Sequence, residues 1–195
     1  MRVIGLTGSI GMGKSTTAAM FARRGVPVHS SDAAVHRLYA GEAAASIEAA
    51  FPGVTANGAV DRTRLAERVV GDPEALARRE ALVHPLVRRS EEAFLTKARA
   101  EGHRLALVDV PLLVETDAAS RFDAIVVVSA DPRIQRERVL ARPGMTEAKL
   151  AALLARQAPD AEKRRRAHFL VDSGSGLAAA ECEVDSILRA LTGAV

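Results

Sequence analysis

Gly8-Ser9-Ile10-Gly11-Met12-Gly13-Lys14-Ser15 fills every required place of the pattern G-x-x-x-x-G-K-[ST]. Its flanks narrow the fold sharply. Arg2-Val3-Ile4-Gly5-Leu6-Thr7 before it is a short apolar segment that reads as a buried strand. Ser15 to Arg24 after it are helix formers stopping at Gly25. Strand, glycine-rich turn and helix together aim successive backbone N–H groups at a polyphosphate. The glycines are needed because the chain passes too close to the phosphates for a Cβ and takes positive φ in places. The pattern predicts a nucleotide triphosphate, such as ATP, held by Gly11, Met12, Gly13, Lys14, Ser15 and Thr16. Lys14 reaches the β- and γ-phosphates and the Ser15 hydroxyl ligates Mg²⁺. A glycine-rich turn with a chance lysine is the alternative, and the flanking strand and helix argue against it.

Further along, Val26-Pro27-Val28-His29 reads as a second strand ending in Ser30-Ser31-Asp32, ahead of a helical pattern from Ala33 to Tyr39. Asp32 therefore falls at the carboxyl end of a parallel strand, where ligands bind in open α/β sheets. Alternatively Asp32 or Ser31 caps the next helix, and the two roles are compatible. Residues 33–102 are rich in helix formers with no convincing strand, turning at Pro52-Gly53 and Asn57-Gly58. His84-Pro85 predicts a kink or a new helix start. A block this long exceeds a plain crossover and reads as a substrate-holding helical subdomain. Leu105 to Val110 is a third strand, with Asp109 placed for a Mg²⁺ contact, direct or through water, or for bonding loop amides. The loop Pro111-Leu112-Leu113-Val114-Glu115 comes next. Asp123 to Ser129 is a β-branched fourth strand and His168 to Asp172 a fifth, with a C-terminal helix from Leu177 to Leu191.

Residues 133–160 form a helical pair carrying Arg133, Arg136, Arg138 and Arg142, the content of a lid. Most of these arginines read as a solvated face, and Arg142 is the first choice for neutralising charge on a transferring phosphoryl group. Lys163-Arg164-Arg165-Arg166 reads as an exposed helix end. The expected fold is an α/β P-loop NTPase-type three-layer α/β/α domain with a five-stranded, mostly parallel sheet. Its core takes 1–32, 103–132 and 161–195, with the helical subdomain at 33–102 and the lid at 133–160.

Composition removes several alternatives. Aromatic residues are 3% of the 195, too few for a platform that stacks single-stranded bases. A net charge of +3 suits anionic small substrates and predicts no nucleic-acid partner. Cys182 is the only cysteine, so no internal disulfide forms, and its helical setting predicts a packed small residue. No apolar run is long enough for a membrane and no signal-peptide pattern opens the chain, which predicts the cytoplasm and no membrane partner. The only asparagine is Asn57, so the N-K-x-D guanine-reading segment of a GTPase is missing. Val110 follows Asp109, against the acidic pair of a mechanical ATPase. A small-molecule kinase needs an acceptor pocket, an acidic group beside the acceptor hydroxyl and a basic lid, and all three have candidates.

The chain resembles the dephospho-CoA kinase family over nearly its whole length. The resemblance rests on the loop together with Asp32, Leu82-Val83-His84-Pro85, Pro111 to Glu115, Gln157 in the lid, and Val171-Asp172-Ser173-Gly174. It implies transfer of the γ-phosphoryl of ATP to the ribose 3′-hydroxyl of dephospho-CoA, giving ADP and CoA, with Mg²⁺ on Ser15 and Asp109. It implies Asp32, Lys14 and Arg142 as catalytic, and His84, Arg88, Leu112 and Glu115 on the acceptor side. Its small-molecule partners would serve a monomer or weak homo-oligomer. The family's Asp-Ala-Asp after the second strand is here Ser30-Ser31-Asp32, and its Asn after the late-strand Asp is Ser173. The competing readings are another P-loop metabolite or nucleotide kinase, of nucleotide, shikimate or gluconate type, and a nucleotide-dependent switch binding nucleic acid through Lys163 to Arg166.

Overall fold

The computed structural model describes residues 1–116 and 118–193, so residue 117 and the last two residues of the expected core lie outside it. The chain divides into two units, Met1–His29 with Ala98–Val195, and Ser30–Lys97.

The first unit is built on parallel strands. β1 (Arg2–Thr7) lies between β5 (Leu105–Asp109) and β6 (Ala124–Ser129), and β7 (Phe169–Asp172) pairs with β6. The order across the sheet is β2-β5-β1-β6-β7, where β2 is Val28–Ser30. Parallel pairing explains the near-continuous apolar runs, because such strands are covered on both faces. Ile4 and Leu6 of β1 enter a core with Phe21, Leu107, Val126, Val128, Val184 and Ile187. That core joins the sheet to α1 (Lys14–Arg23) and α9 (Leu177–Thr192). The opposite face is marked by Gly5, where a Cβ would lie 2.7 Å from Leu113 and 2.8 Å from Phe122. A larger residue at position 5 would force those side chains apart. The register aligns Leu6 with Asp109, which brings the end of β5 beside the residues entering the glycine loop. The remaining helices are α6 (Pro132–Leu140), α7 (Glu147–Leu154) and α8 (Asp160–Arg165).

The second unit has its own core around Leu38, Tyr39, Ile47, Phe51, Leu65 and Val83. It contains α2 (Ser31–Tyr39), α3 (Ala44–Ala50), α4 (Arg62–Val69) and α5 (Pro73–Ala100), the last running past the boundary at Lys97. The unit departs from expectation in two places. First, the block is not strand-free. β3 (Thr55–Ala56) and β4 (Ala59–Val60) form a hairpin closed by Asn57 and Gly58, both at positive φ. Asn-Gly is the dipeptide best suited to that turn, and two-residue strands are too short to show an alternating pattern. Second, α5 continues through Pro85, so the new helix start, one of the two expectations there, does not occur. Leu82, Val83, Leu86 and Val87 pack on the unit's core on both sides of the proline, so tertiary burial outweighs the lost backbone bond.

Candidate functional site

The glycine loop has the conformation its sequence requires, for separate reasons at separate positions. A Cβ at Gly8 would lie 2.7 Å from the Val128 carbonyl oxygen, so the first glycine is a packing requirement of the neighbouring strand. Gly11 and Gly13 take φ of 79° and 87°, in the left-handed region. Gly13 is also the N-cap of α1 and offers no side-chain cap. The first backbone bond of the helix is Thr17 N–H to Gly13 O at 3.0 Å, so the amides of Lys14, Ser15 and Thr16 precede it. Uncapped first-turn amides with the positive end of a helix dipole form an anion seat. Lys14 Nζ makes an ion pair with Asp109 Oδ1, both side chains largely buried. Ser15 is exposed in the first turn of α1. One hydroxyl and one carboxylate suit Mg²⁺, which takes most of its remaining ligands from phosphate and water.

The lid arginines separate by partner. Arg136 pairs with Glu147. Arg138 donates to the Ser173 hydroxyl and carbonyl, each at 2.8 Å, and Ser173 Oγ donates to the Met12 carbonyl at 2.7 Å. Ser173, where the family pattern has Asn, thus braces the glycine loop against α6. Arg142 lines a cavity of about 270 Å³ with Gly13, Thr16, Thr17, Ser173 and Leu177. The turn that carries Ser173 and Gly176 on its wall is closed by Asp172, whose carboxylate accepts from Ser175 Oγ at 2.7 Å and Gly174 N–H at 2.8 Å. Those bonds, the serine first, hold the Asp172 carboxyl below its usual range.

In the second unit, Asp32 is exposed in the first turn of α2. It is not the cap. Ser30 is, accepting from Ala33 N–H at 3.2 Å. Asp and Ser are comparable N-caps, so an Asp at position 30 would meet the same structural need as Ser30. Asp32 opens onto a cavity of about 360 Å³. α2 contributes Asp32, Val35, His36 and Tyr39, and α4 contributes Arg62, Leu65, Ala66 and Val69, the same i, i+3, i+4, i+7 stripe on each helix. Arg62 Nη1 donates to His36 Nε2 at 2.7 Å. Arg79, also on the cavity, donates from Nε to the Tyr39 hydroxyl at 3.0 Å.

The acceptor-side expectations distribute differently. His84 and Arg88 are exposed one turn apart on α5 and do not line the Asp32 cavity. Leu112 is 41% exposed in the loop after β5. Glu115 turns inward, accepting from Ala158 N–H at 2.8 Å and pairing with Lys163 Nζ at 2.8 Å. Lys163 is fully buried, which corrects its reading as part of an exposed helix end, while Arg164, Arg165 and Arg166 are exposed as expected. The run looked uniformly basic, but one side of even a short helix must face the fold. Cys182 is exposed rather than packed. Sequence reasoning missed His36, Arg62 and Arg79, whose only signal was helical spacing around them, and Gln135, which carried none, and it did not separate Arg138 from the other lid arginines.

Among the described residues no three His, Cys, Asp or Glu side chains cluster as a metal site. No described helix is long and apolar enough to cross a membrane.

A parallel three-layer α/β/α sheet, a triphosphate loop between its first strand and helix, and an arginine-bearing helical pair define a P-loop kinase. Within that class the chain belongs to the dephospho-CoA kinase family, CoaE, which matches residues 2–179. It is 60% identical over 193 residues to a dephospho-CoA kinase of Mesorhizobium japonicum, covering 99% of this chain and 98% of that protein. It is similar to a crystal structure from Thermus thermophilus, with a TM-score of 0.85 and 33% identity over 98% of this chain and 96% of the other. A dephospho-CoA kinase from Campylobacter jejuni shares the fold, with a TM-score of 0.67 at 21% identity, covering 97% of each chain.

Proposed function

We propose that the protein transfers the γ-phosphoryl group of ATP to the ribose 3′-hydroxyl of dephospho-CoA, giving CoA and ADP. The observation that carries the reading is an uncapped triphosphate seat with Lys14 and Asp109 in a chain of this family. The β- and γ-phosphates take the amides of the loop and Lys14, and the nucleoside takes the cavity lined by Thr16, Thr17 and Leu177. Ser15 and Asp109 hold Mg²⁺, which offsets phosphate charge when bound. Lys14 must exchange Asp109 for phosphate when the nucleotide arrives. Arg142 neutralises charge on the transferring group.

Asp32 supports the acceptor half. Its cavity has an apolar floor, suited to a nucleoside, and two arginines, suited to a diphosphate. The acceptor oxygen forms a bond to the γ-phosphorus as the β,γ-bridging bond breaks, and the hydroxyl proton passes to Asp32. The transition state is loose, so the proton leaves late and the protein's work is positioning and charge neutralisation. His84, Arg88 and Leu112 complete the acceptor side by family resemblance. The reading implies freely diffusing substrates, a monomer or weak homo-oligomer, and the cytoplasm, where the exposed Cys182 thiol stays reduced.

The test is ADP release with dephospho-CoA, AMP, shikimate and gluconate side by side, with Asp32→Asn as a control. We expect turnover with dephospho-CoA alone, falling by about 10²-fold or more in the variant with nucleotide affinity unchanged. Preference for another acceptor sinks the substrate assignment, and a near-normal kcat in Asp32→Asn sinks the proton-acceptor role.

A further inference from the structure

The chain's only two glutamines, Gln135 and Gln157, close on a single residue of the glycine loop. Ile10 N–H donates to Gln157 Oε1 at 3.1 Å, and the Ile10 carbonyl accepts from Gln135 Nε2 at 2.7 Å. Each amide presents the polarity that its partner lacks. Gln135 is buried in α6, and α6 meets the next loop residue without spare room. A Cβ on Gly11 would lie 2.6 Å from Val139 Cγ2 and 3.0 Å from the Gln135 carbonyl oxygen.

Gln157 stands in the irregular segment that joins α7 to α8, so its position depends on what pins that segment. Gln157 N–H donates to the Leu154 carbonyl at 3.0 Å, which ties it to the end of α7, and the next residue ties it across the fold. Ala158 N–H donates to Glu115 Oε1, and the same oxygen is paired with the buried Lys163. The connected line is therefore Lys163, Glu115, Ala158, Gln157 and Ile10. At its far end lie Gly11 and Gly13, which have no side chains to hold them, and whose peptides set the direction of the phosphate-binding amides. Rotation of one peptide there would re-aim the cradle, and preorganised donors lose their advantage when they must be ordered on binding.

We infer that Glu115, with Lys163, is a positioning residue of the donor half: it fixes Ala158 so that Gln157 and Gln135 hold the Ile10 peptide in the nucleotide-binding conformation. This moves Glu115 from the acceptor side, where family resemblance put it. The inference rests on the reading of Gly8 to Ser15 as a nucleotide cradle, so the experiment measures nucleotide without acceptor.

Calorimetric titration with Mg·ADP is run on the wild type, Gln157→Met, Gln135→Glu and the double variant Glu115→Leu/Lys163→Met, beside KM for both substrates. Gln157→Met keeps the shape and removes the acceptor, and should raise the Mg·ADP Kd by about fivefold to tenfold. Gln135→Glu turns a carboxylate toward the Ile10 carbonyl and should weaken binding at least as much. If that variant does not fold, Gln135→Met serves in its place, with a smaller rise expected. The double variant should raise the Kd by about threefold and leave KM for dephospho-CoA unmoved, with unliganded Gln157→Met melting close to the wild type. The proposal is overturned if folded glutamine variants bind Mg·ADP like the wild type, or if the double variant leaves nucleotide affinity at the wild-type value, whatever it does to KM for dephospho-CoA. A wild type that binds no Mg·ADP removes the cradle reading itself, a separate failure.

Discussion

Lys163→Met puts the buried ion pair to a quantitative test. Lys163 is 0% exposed and its Nζ lies 2.8 Å from Glu115 Oε1. Removing one partner of a fully buried pair costs about 3–5 kcal/mol, because the other charge is left uncompensated. Glu115 keeps 16% of its side chain exposed and keeps the Ala158 amide, so the lower end applies, about 3 kcal/mol at neutral pH. For a chain of this size each kcal/mol moves Tm by about 2–4 °C, which gives a fall of about 6–12 °C. Replacing both members, Glu115→Leu/Lys163→Met, removes the stranded charge and should cost only about 1 kcal/mol, chiefly for the Ala158 N–H left without its acceptor. The pH dependence carries a sign. In the wild type, burial pushes the Glu115 carboxyl up, but the Lys163 bond and the amides outweigh it and hold it below the ordinary 4.5. A lowered native value means the contribution is complete above about 4.5 and is lost as pH falls through the native value. Without Lys163 the burial remains and the carboxyl shifts up, so protonation relieves the variant first. The gap between the two proteins should narrow from pH 7 toward pH 4. Urea unfolding with unchanged slope, repeated at pH 7, 5 and 4, measures it. A deficit under 1 kcal/mol at pH 7, a gap that widens on acidification, or a double variant no better than the single one refutes the reasoning.

Gly11→Ala adds a Cβ at φ 79°, 2.6 Å from Val139, and should cost nucleotide affinity more than tenfold, seen by titration with Mg·ADP. Retained affinity would mean that α6 yields freely. Ser30→Ala should lower stability by about 1 kcal/mol while Ser30→Asp stays within a few tenths, both read by urea unfolding. A loss on installing Asp would show that position 30 does more than cap α2.

The parallel sheet was legible because its strands announce themselves twice, by apolar continuity and by the turn or helix start at each carboxyl end. Val126 to Val128 are wholly buried, and such runs have few other homes. The helical unit was legible as a block and not in detail. The hairpin at Asn57-Gly58 needed only its turn residues, and the strands on either side were too short to register. At Pro85 a local rule lost to packing on both sides, which is a fact about neighbours in space.

The site divides along the same line. Donor chemistry sits in contiguous residues, since one loop must supply most of the contacts to a triphosphate, and a contiguous loop is what a pattern captures. The groups that keep that loop in shape are scattered. Ser173 Oγ on the Met12 carbonyl and Gln157 Oε1 on the Ile10 amide span 161 and 147 positions of chain. Family resemblance marks both positions, but nothing local to either says that it reaches the loop. The same local silence holds for Lys163, which charge alone assigns to solvent and which only the facing Glu115 makes tolerable inside. Sequence pattern therefore reads the atoms that touch the phosphates. The groups that hold those atoms still become visible only when the chain is folded, and in this chain they include both of its glutamines.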